Sequence, residues 1–171
     1  MITRTGALHA LESVTDPELP VLTIADLGIL RDVVIDGDAV VVTITPTYSG
    51  CPAMAEIRAD VVAALTRAGA ATVTVDTALS PAWTTDWMSE QARDKLRAYG
   101  IAPPTAGPSG PVDIPLSAVL GSLEARRTAA ATCPQCGSPD TEELSRFGST
   151  SCKSLWRCRS CREPFDLFKD H

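Results

Sequence analysis

Residues 29–69 read ILRDVVIDGDAVVVTITPTYSGCPAMAEIRADVVAALTRAG, and the fold of the first hundred residues is decided within this stretch. Segments 29–35 and 39–45 are rich in β-branched residues and flank Asp36-Gly37-Asp38. Two such runs joined by a short glycine-containing turn predict a β-hairpin. From 52 to 68, Met54, Ile57, Val61 and Leu65 recur at spacings of three, four and four, one apolar face of a helix. Pro52 suits the first helical position, and Gly69 suits the C-terminal cap. Working outward, residues 71–77 alternate Val73 and Val75 with Thr72, Thr74 and Asp76, a half-buried strand. A second helix is expected over 85–99, ending at Gly100, and a short one before Asp16. The order is α-β-β-α-β-α. Helices packed on one face of a small mixed sheet bury both apolar surfaces, an α+β fold.

The hairpin and the long helix are joined by Thr45-Pro46-Thr47-Tyr48-Ser49-Gly50-Cys51-Pro52. Pro46 ends the strand and Gly50 allows a tight backbone approach. Cys51 therefore falls at or just before a helix N-terminus, where free N–H groups and the helix dipole are expected to lower its thiol pKa. It reads as a nucleophile or a metal or cluster ligand, against the plain alternative of a small buried hydrophobe. The only histidines are His9 and His171, neither in a motif, so acid–base hydrolysis at the thiol is a poor fit. Asp16-Pro17-Glu18-Leu19-Pro20 reads as a proline-stiffened turn; its functional alternative brings Asp16 and Glu18 beside Cys51. Trp83 and Trp87 lie four apart and would share a helical face, with core packing favoured over partner docking.

The C-terminal segment has different chemistry. Cys133-Pro134-Gln135-Cys136 and Cys158-Arg159-Ser160-Cys161 are two C-x-x-C pairs separated by 21 residues. Each pair makes a knuckle, and two knuckles complete a tetrahedral site for Zn²⁺; a rubredoxin-like single iron is the competing occupant. Segments 141–145 and 153–157 are expected to form a hairpin, with 165–168 as a third strand, a zinc-ribbon pattern. These 39 residues hold too few aliphatic side chains to fold by burial alone. Cys152 stands outside both knuckles, either packed or a second cluster ligand. Lys153, Arg157, Arg159 and Arg162 gather without an intervening acid; a solvated hairpin edge is favoured over a nucleic-acid-binding face, and an acidic partner protein would also fit.

Five prolines (Pro103, Pro104, Pro108, Pro111 and Pro115) with Gly107 and Gly110 mark 101–132 as a linker, with a short helix expected at 116–127. The domains expected are thus 1–100, 101–132 and 133–171. Residues 1–132 carry 15 acids against 9 bases, and 133–171 carry 6 of each. A net charge of −6 argues against general nucleic-acid binding, and 44% apolar residues argue against disorder. With no membrane-spanning run and no signal-peptide core, a soluble cytoplasmic protein is expected, in which cysteines serve metals or redox chemistry rather than disulfides.

Asp16-Pro17-Glu18, Leu27-Gly28-Ile29, Thr45-Pro46-Thr47 and Cys51-Pro52 together resemble the SufT-type iron–sulfur assembly domain. Extended through Pro81-Ala82-Trp83-Thr84-Thr85-Asp86-Trp87-Met88 and the C-terminal cysteines, the pattern resembles the PaaD family, which belongs to the bacterial phenylacetyl-CoA epoxidase (ring 1,2-epoxidase) system. The resemblance implies an accessory, non-catalytic factor that carries or delivers iron or an iron–sulfur cluster, [2Fe–2S] or [4Fe–4S], in aerobic phenylacetate degradation. It implies as partners the epoxidase components, above all the iron–sulfur flavin reductase, and neither nucleic acid nor membrane. Cys51 would hold the cluster, with Asp16, Glu18, Thr45 and Thr47 shaping its pocket. One thiol cannot supply four cluster ligands, so a second copy, a small thiol or a C-terminal ligand is required, a homodimer being simplest. The alternatives are a structural or regulatory role in the epoxidase complex and a rubredoxin-like electron carrier. The segment around Cys152 also resembles that family, whereas the usual Phe-Lys-Cys ending is replaced by Phe168-Lys169-Asp170-His171.

Overall fold

A computed structural model of the chain describes residues 2–48, 50–104 and 131–169. The helix expected at 116–127 and most of the expected linker lie outside them, as do Asp170 and His171. The chain divides into two compact units between Lys95 and Leu96.

In the first unit, α1 (Arg4–Leu11) starts at Thr3, whose side chain accepts the Gly6 backbone N–H at 3.1 Å. A two-stranded antiparallel pair follows, β1 (Thr15–Asp16) and β2 (Leu19–Thr23). Periodicity did not disclose it, because two residues carry no pattern. The expected hairpin is β3 (Leu30–Asp36) and β4 (Ala39–Ile44), turning at Gly37 with φ 61°. After α2 (Met54–Arg67), β5 (Thr72–Thr77) returns parallel to β4, giving a mixed sheet in the order β3-β4-β5. Val33, Val40, Val42 and Ile44 are buried, as are Ile57, Val61 and Leu65 of α2. Each of these side chains contributes about 1.5–3 kcal/mol through burial. Helix α1 packs on β3, α2 on β5, and the helices on each other, so they cover one face. Strand β5 ends the sheet, and Arg58 of α2 reaches its open side, donating to the Val75 carbonyl at 2.6 Å and to the Thr77 hydroxyl.

Three expectations need correction. Helix α2 starts at Met54 with Ala53 as its cap, so Pro52 is not its first residue. The single helix over 85–99 is instead a 3₁₀ turn (Thr85–Trp87) and α3 (Glu90–Ala98). Met88, buried and extended at ψ 135°, breaks the helical path between them. Trp83 and Trp87 consequently do not share a helical face. Trp83 precedes the turn, buried as core packing requires, and its indole N–H donates to the Leu27 carbonyl at 2.8 Å. Trp87 is half-buried, with the Arg31 guanidinium 3.6 Å over its ring. Gly28 sits against Trp87 at φ 71°; a Cβ there would lie 2.7 Å from the Trp87 carbonyl oxygen. The Leu27-Gly28-Ile29 and Trp83–Trp87 segments are thus one packed unit.

The second unit is a four-stranded sheet in the order β6-β9-β8-β7. Strands β7 (Thr141–Ser145), β8 (Lys153–Cys158) and β9 (Pro164–Phe168) are the antiparallel ribbon that was expected. The addition is β6 (Ile101–Ala102), parallel to β9 and buried. Residues 101 and 102, read as the start of the linker, are a strand because they pair beside β9 before Pro103 can interrupt. The core gathers Ala102, Ala131, Cys133, Trp156, Cys158 and Phe165.

Candidate functional site

Strands β4 and β5 run parallel, so their carboxyl ends lie side by side, the usual place for ligands in such sheets. The β4–α2 loop carries Thr45, Thr47 and Tyr48 and arrives at Cys51, whose N–H bonds back to the Tyr48 carbonyl at 3.3 Å. Thr45 and Thr47 are buried, and Cys51 is half-buried. The expected lowering of the thiol pKa is not found. Burial pushes the Cys51 thiol up, and the Glu18 and Asp16 carboxylates add to that rise. The Ala53 backbone N–H and the Tyr48 hydroxyl oppose it without prevailing. The helix dipole loses because Cys51 lies two residues ahead of the cap rather than on it. Asp16 and Glu18 are nonetheless within electrostatic reach of the thiol. Asp16 also serves the turn, its Oδ1 accepting the Glu18 and Leu19 N–H groups at 2.7 and 3.0 Å.

Against this loop the segment after β5 builds a cavity of about 500 Å³. Thr45, Pro46, Thr47 and Tyr48 form one wall, and Leu79, Ala82 and Trp83 the other. The second wall was not foreseen. Its only sequence signal was the Pro81–Met88 pattern, which carries no indication of facing residues 45–48.

The second unit brings Cys133, Cys136, Cys158 and Cys161 together, with all four sulfurs within 4.8 Å of one another. Cys133 and Cys161 Sγ are 3.7 Å apart, and Cys136 and Cys158 Sγ 3.6 Å. Bonds of about 2.3 Å in a tetrahedral zinc thiolate site require sulfur separations of about 3.8 Å, so the donor set fits Zn²⁺. The backbone N–H of Cys161 leads the groups that hold the Cys158 thiol down to about 6.

Cys152 is outside this cluster, buried, with its sulfur 3.0 Å from the Thr150 hydroxyl. Of the four cationic residues, Arg157, Arg159 and Arg162 gather at an exposed edge as expected, whereas Lys153 does not. Lys153 is buried with Asp166 at 3.9 Å, and Arg157 and Arg159 both pair with Glu142 across the hairpin. Sequence adjacency hid that acid, which strand register supplies: Glu142 faces Arg157. Also unforeseen is Asp26, buried and bonded to Lys95 at 2.6 Å across 69 positions.

Among the described residues, no helix is long and apolar enough to cross a membrane. Residues 4–77 match the family described as iron-sulfur cluster assembly protein, and residues 121–169 match the PaaD zinc beta ribbon domain. A 1,2-phenylacetyl-CoA epoxidase component from Escherichia coli K12 is 49% identical over 93% of this chain and 88% of its own. An Fe-S protein maturation auxiliary factor from Porphyromonas gingivalis is 37% identical over 55% of this chain and 90% of its own. A crystal structure of a domain of unknown function from Bacillus anthracis superposes with a TM-score of 0.51 at 33% identity, covering 54% of this chain and 89% of that one.

Proposed function

The chain belongs to the PaaD family of phenylacetyl-CoA epoxidase components, and on that premise we propose that it is a cytoplasmic, non-catalytic accessory factor that carries an iron–sulfur cluster, or iron, to the epoxidase system. Its recipient in this reading is the [2Fe–2S] flavin reductase. In this reading residues 1–95 form the cargo-handling domain, Ile101–Ala102 together with the segment from 131 onward the zinc ribbon, and the proline-rich stretch between them the link. What supports the reading is that Cys51, in the loop that follows β4, lies within electrostatic reach of Asp16 and Glu18, inside a segment that matches the iron-sulfur cluster assembly family; Thr45 and Thr47 of the same loop complete the proposed pocket. Cys51 is the working ligand; a second copy adds a second thiolate, and small thiols fill the two positions that remain. Cys152 is assigned a packing role. Zinc at Cys133, Cys136, Cys158 and Cys161 is structural: it supplies folding energy, and the four thiolates leave no open position for chemistry.

Cys51→Ser tests the reading. Serine matches the thiol in shape but ionises too weakly to replace a thiolate on iron. The variant is expected to keep its fold and zinc, to lose cluster after anaerobic reconstitution, and to leave cells with reductase deficient in its [2Fe–2S] centre. Adding reconstituted reductase should restore epoxidation. Normal reductase cluster content in the variant strain sinks the carrier reading. The raised thiol pKa at Cys51 favours one alternative, a structural or regulatory role within the epoxidase complex. A zinc-loaded protein that refuses cluster while still binding the epoxidase would establish that alternative.

A further inference from the structure

The two cysteine knuckles of the second unit share a backbone but differ in one side chain. In each, the N–H of the first cysteine bonds to the carbonyl five positions on, Cys133 to Ser138 and Cys158 to Glu163, both at 3.0 Å. The residue after the second cysteine is left-handed in each, Gly137 at φ 73° and Arg162 at φ 68°. Glycine adopts that conformation freely, whereas a long side chain adopts it at a cost. Among the described residues Arg162 is the one non-glycine residue with positive φ. Strain retained where glycine would serve implies that the side chain is used. Arg162 is exposed, and among the described residues its guanidinium makes no hydrogen bond or ion pair.

Arg162 lines an open concavity of about 370 Å³ together with Arg157, Cys158 and Arg159. Arg157 pairs with Glu142, and Arg159 pairs with Glu142 and, at 3.6 Å, with Asp140. Those two acids leave one of the three guanidinium charges uncompensated. Glu163 follows Arg162 in the chain but does not line the concavity. A single carboxylate closes the balance, and its two oxygens match the guanidinium fork. Arg157 and Arg159 stay exposed despite their pairs, so further carboxylates nearby gain from them. A nucleic-acid strand brings a phosphate with every nucleotide, and Glu142, Asp140 and the chain's net charge of −6 repel it. No aliphatic or aromatic side chain lines the concavity among the described residues, so an apolar partner gains little there. We propose that Arg157, Arg159 and Arg162 dock an acidic segment of a partner protein, with Arg162 receiving an aspartate or glutamate carboxylate. Nothing in this surface depends on Cys51 carrying a cluster.

The test titrates the zinc-loaded full chain with a capped peptide of alternating glycine and glutamate, and with its glutamine counterpart, followed by amide and guanidinium NMR shifts. The glutamate peptide should give saturable changes at Arg157, Arg159 and Arg162 and bind at least about tenfold more tightly than the glutamine peptide. Its affinity should fall as salt rises. Arg162→Gly should weaken binding about tenfold while keeping full zinc and a melting temperature no lower than wild type, because glycine relieves the left-handed strain. Arg162→Lys keeps the charge but loses the fork, and should weaken binding at least about threefold. Equal affinity for the two peptides, or wild-type affinity in Arg162→Gly, overturns the docking surface. Poly-uridylate that binds more tightly than the glutamate peptide, and weakens in the same variant, overturns it in favour of nucleic acid. Loss of zinc or a lower melting temperature in Arg162→Gly also overturns it, by giving Arg162 a structural role. Cys51→Ser should bind the glutamate peptide as wild type does, so failure of this surface and failure of the carrier reading are distinguishable.

Discussion

Asp26 is buried and accepts two bonds, from the Lys95 ammonium at 2.6 Å and from the Thr23 N–H at 3.0 Å. Burial alone would raise its pKa, but the bonds to Lys95 and Thr23 outweigh burial and lower it. A carboxylate whose folded pKa is depressed stabilises the fold above its unfolded value, about 3.9, and that contribution is lost as pH falls through the folded pKa. Urea unfolding followed by Trp83 and Trp87 emission in a Trp156→Phe background should therefore weaken below about pH 4. Asp26→Asn should lose about 1.5–3 kcal/mol at neutral pH, the worth of a charge-assisted bond, and should flatten the acid limb. Parallel pH curves for the two proteins would show that Asp26 is not the group responsible. No sequence pattern announces this pair, since its members are 69 positions apart and only the packing of α3 brings them together. Cys51 is the opposite case. Its place ahead of a helix was legible from Gly50, Pro52 and the apolar stripe beyond. The sign of its pKa shift was not, because neighbours in space, Glu18 and Asp16, and burial set it.

At the scale of elements, β5 shows how a sheet edge is managed. Its outer side would template association with another chain if left open. Arg58 closes it by donating to Val75 and Thr77 from α2. Arg58→Met keeps the aliphatic stem and removes the donors. We expect a loss of about 1 kcal/mol in urea unfolding together with greater light scattering on concentration. Unchanged stability and solubility would mean that the edge is protected by something else. The hairpin β3–β4, helix α2 and strands β5, β7, β8 and β9 were all legible, since each is long enough to display its period. Strands β1 and β6 were not, each being two residues whose identity as strand lies wholly in their partners. The break at Met88 escaped notice for a related reason. Its extended backbone is fixed by burial, and helical spacing on either side gave no sign of it.

For the whole molecule, the two units rest on different sources of stability. The first has a core of aliphatic side chains from β3, β4, α1 and α2, while among the described residues the second gathers a small cluster around Trp156 and Phe165. Structural zinc supplies on the order of 10–16 kcal/mol of apparent binding energy, enough to decide folding of the second. Cys133→Ser or Cys158→Ser should release close to one zinc per chain. Hydrogen exchange should then quicken in β7, β8 and β9 while β3, β4 and β5 keep their protection. Full zinc in both variants would show that other residues hold the metal. Spacing by itself determined the four metal ligands, because a knuckle is a local structure and two C-x-x-C pairs define it without help. Periodicity determined the hairpin, the long helix and the ribbon for the same reason: a few adjacent residues carry the whole signal. Tertiary structure alone decided the cavity facing Thr45 and Thr47, the ion pair of Asp26, the acid between Arg157 and Arg159, and the raised pKa of Cys51. Each of these depends on which distant segments meet. That meeting is fixed by burial of the core and by strand register, and neither is written at the positions that come together.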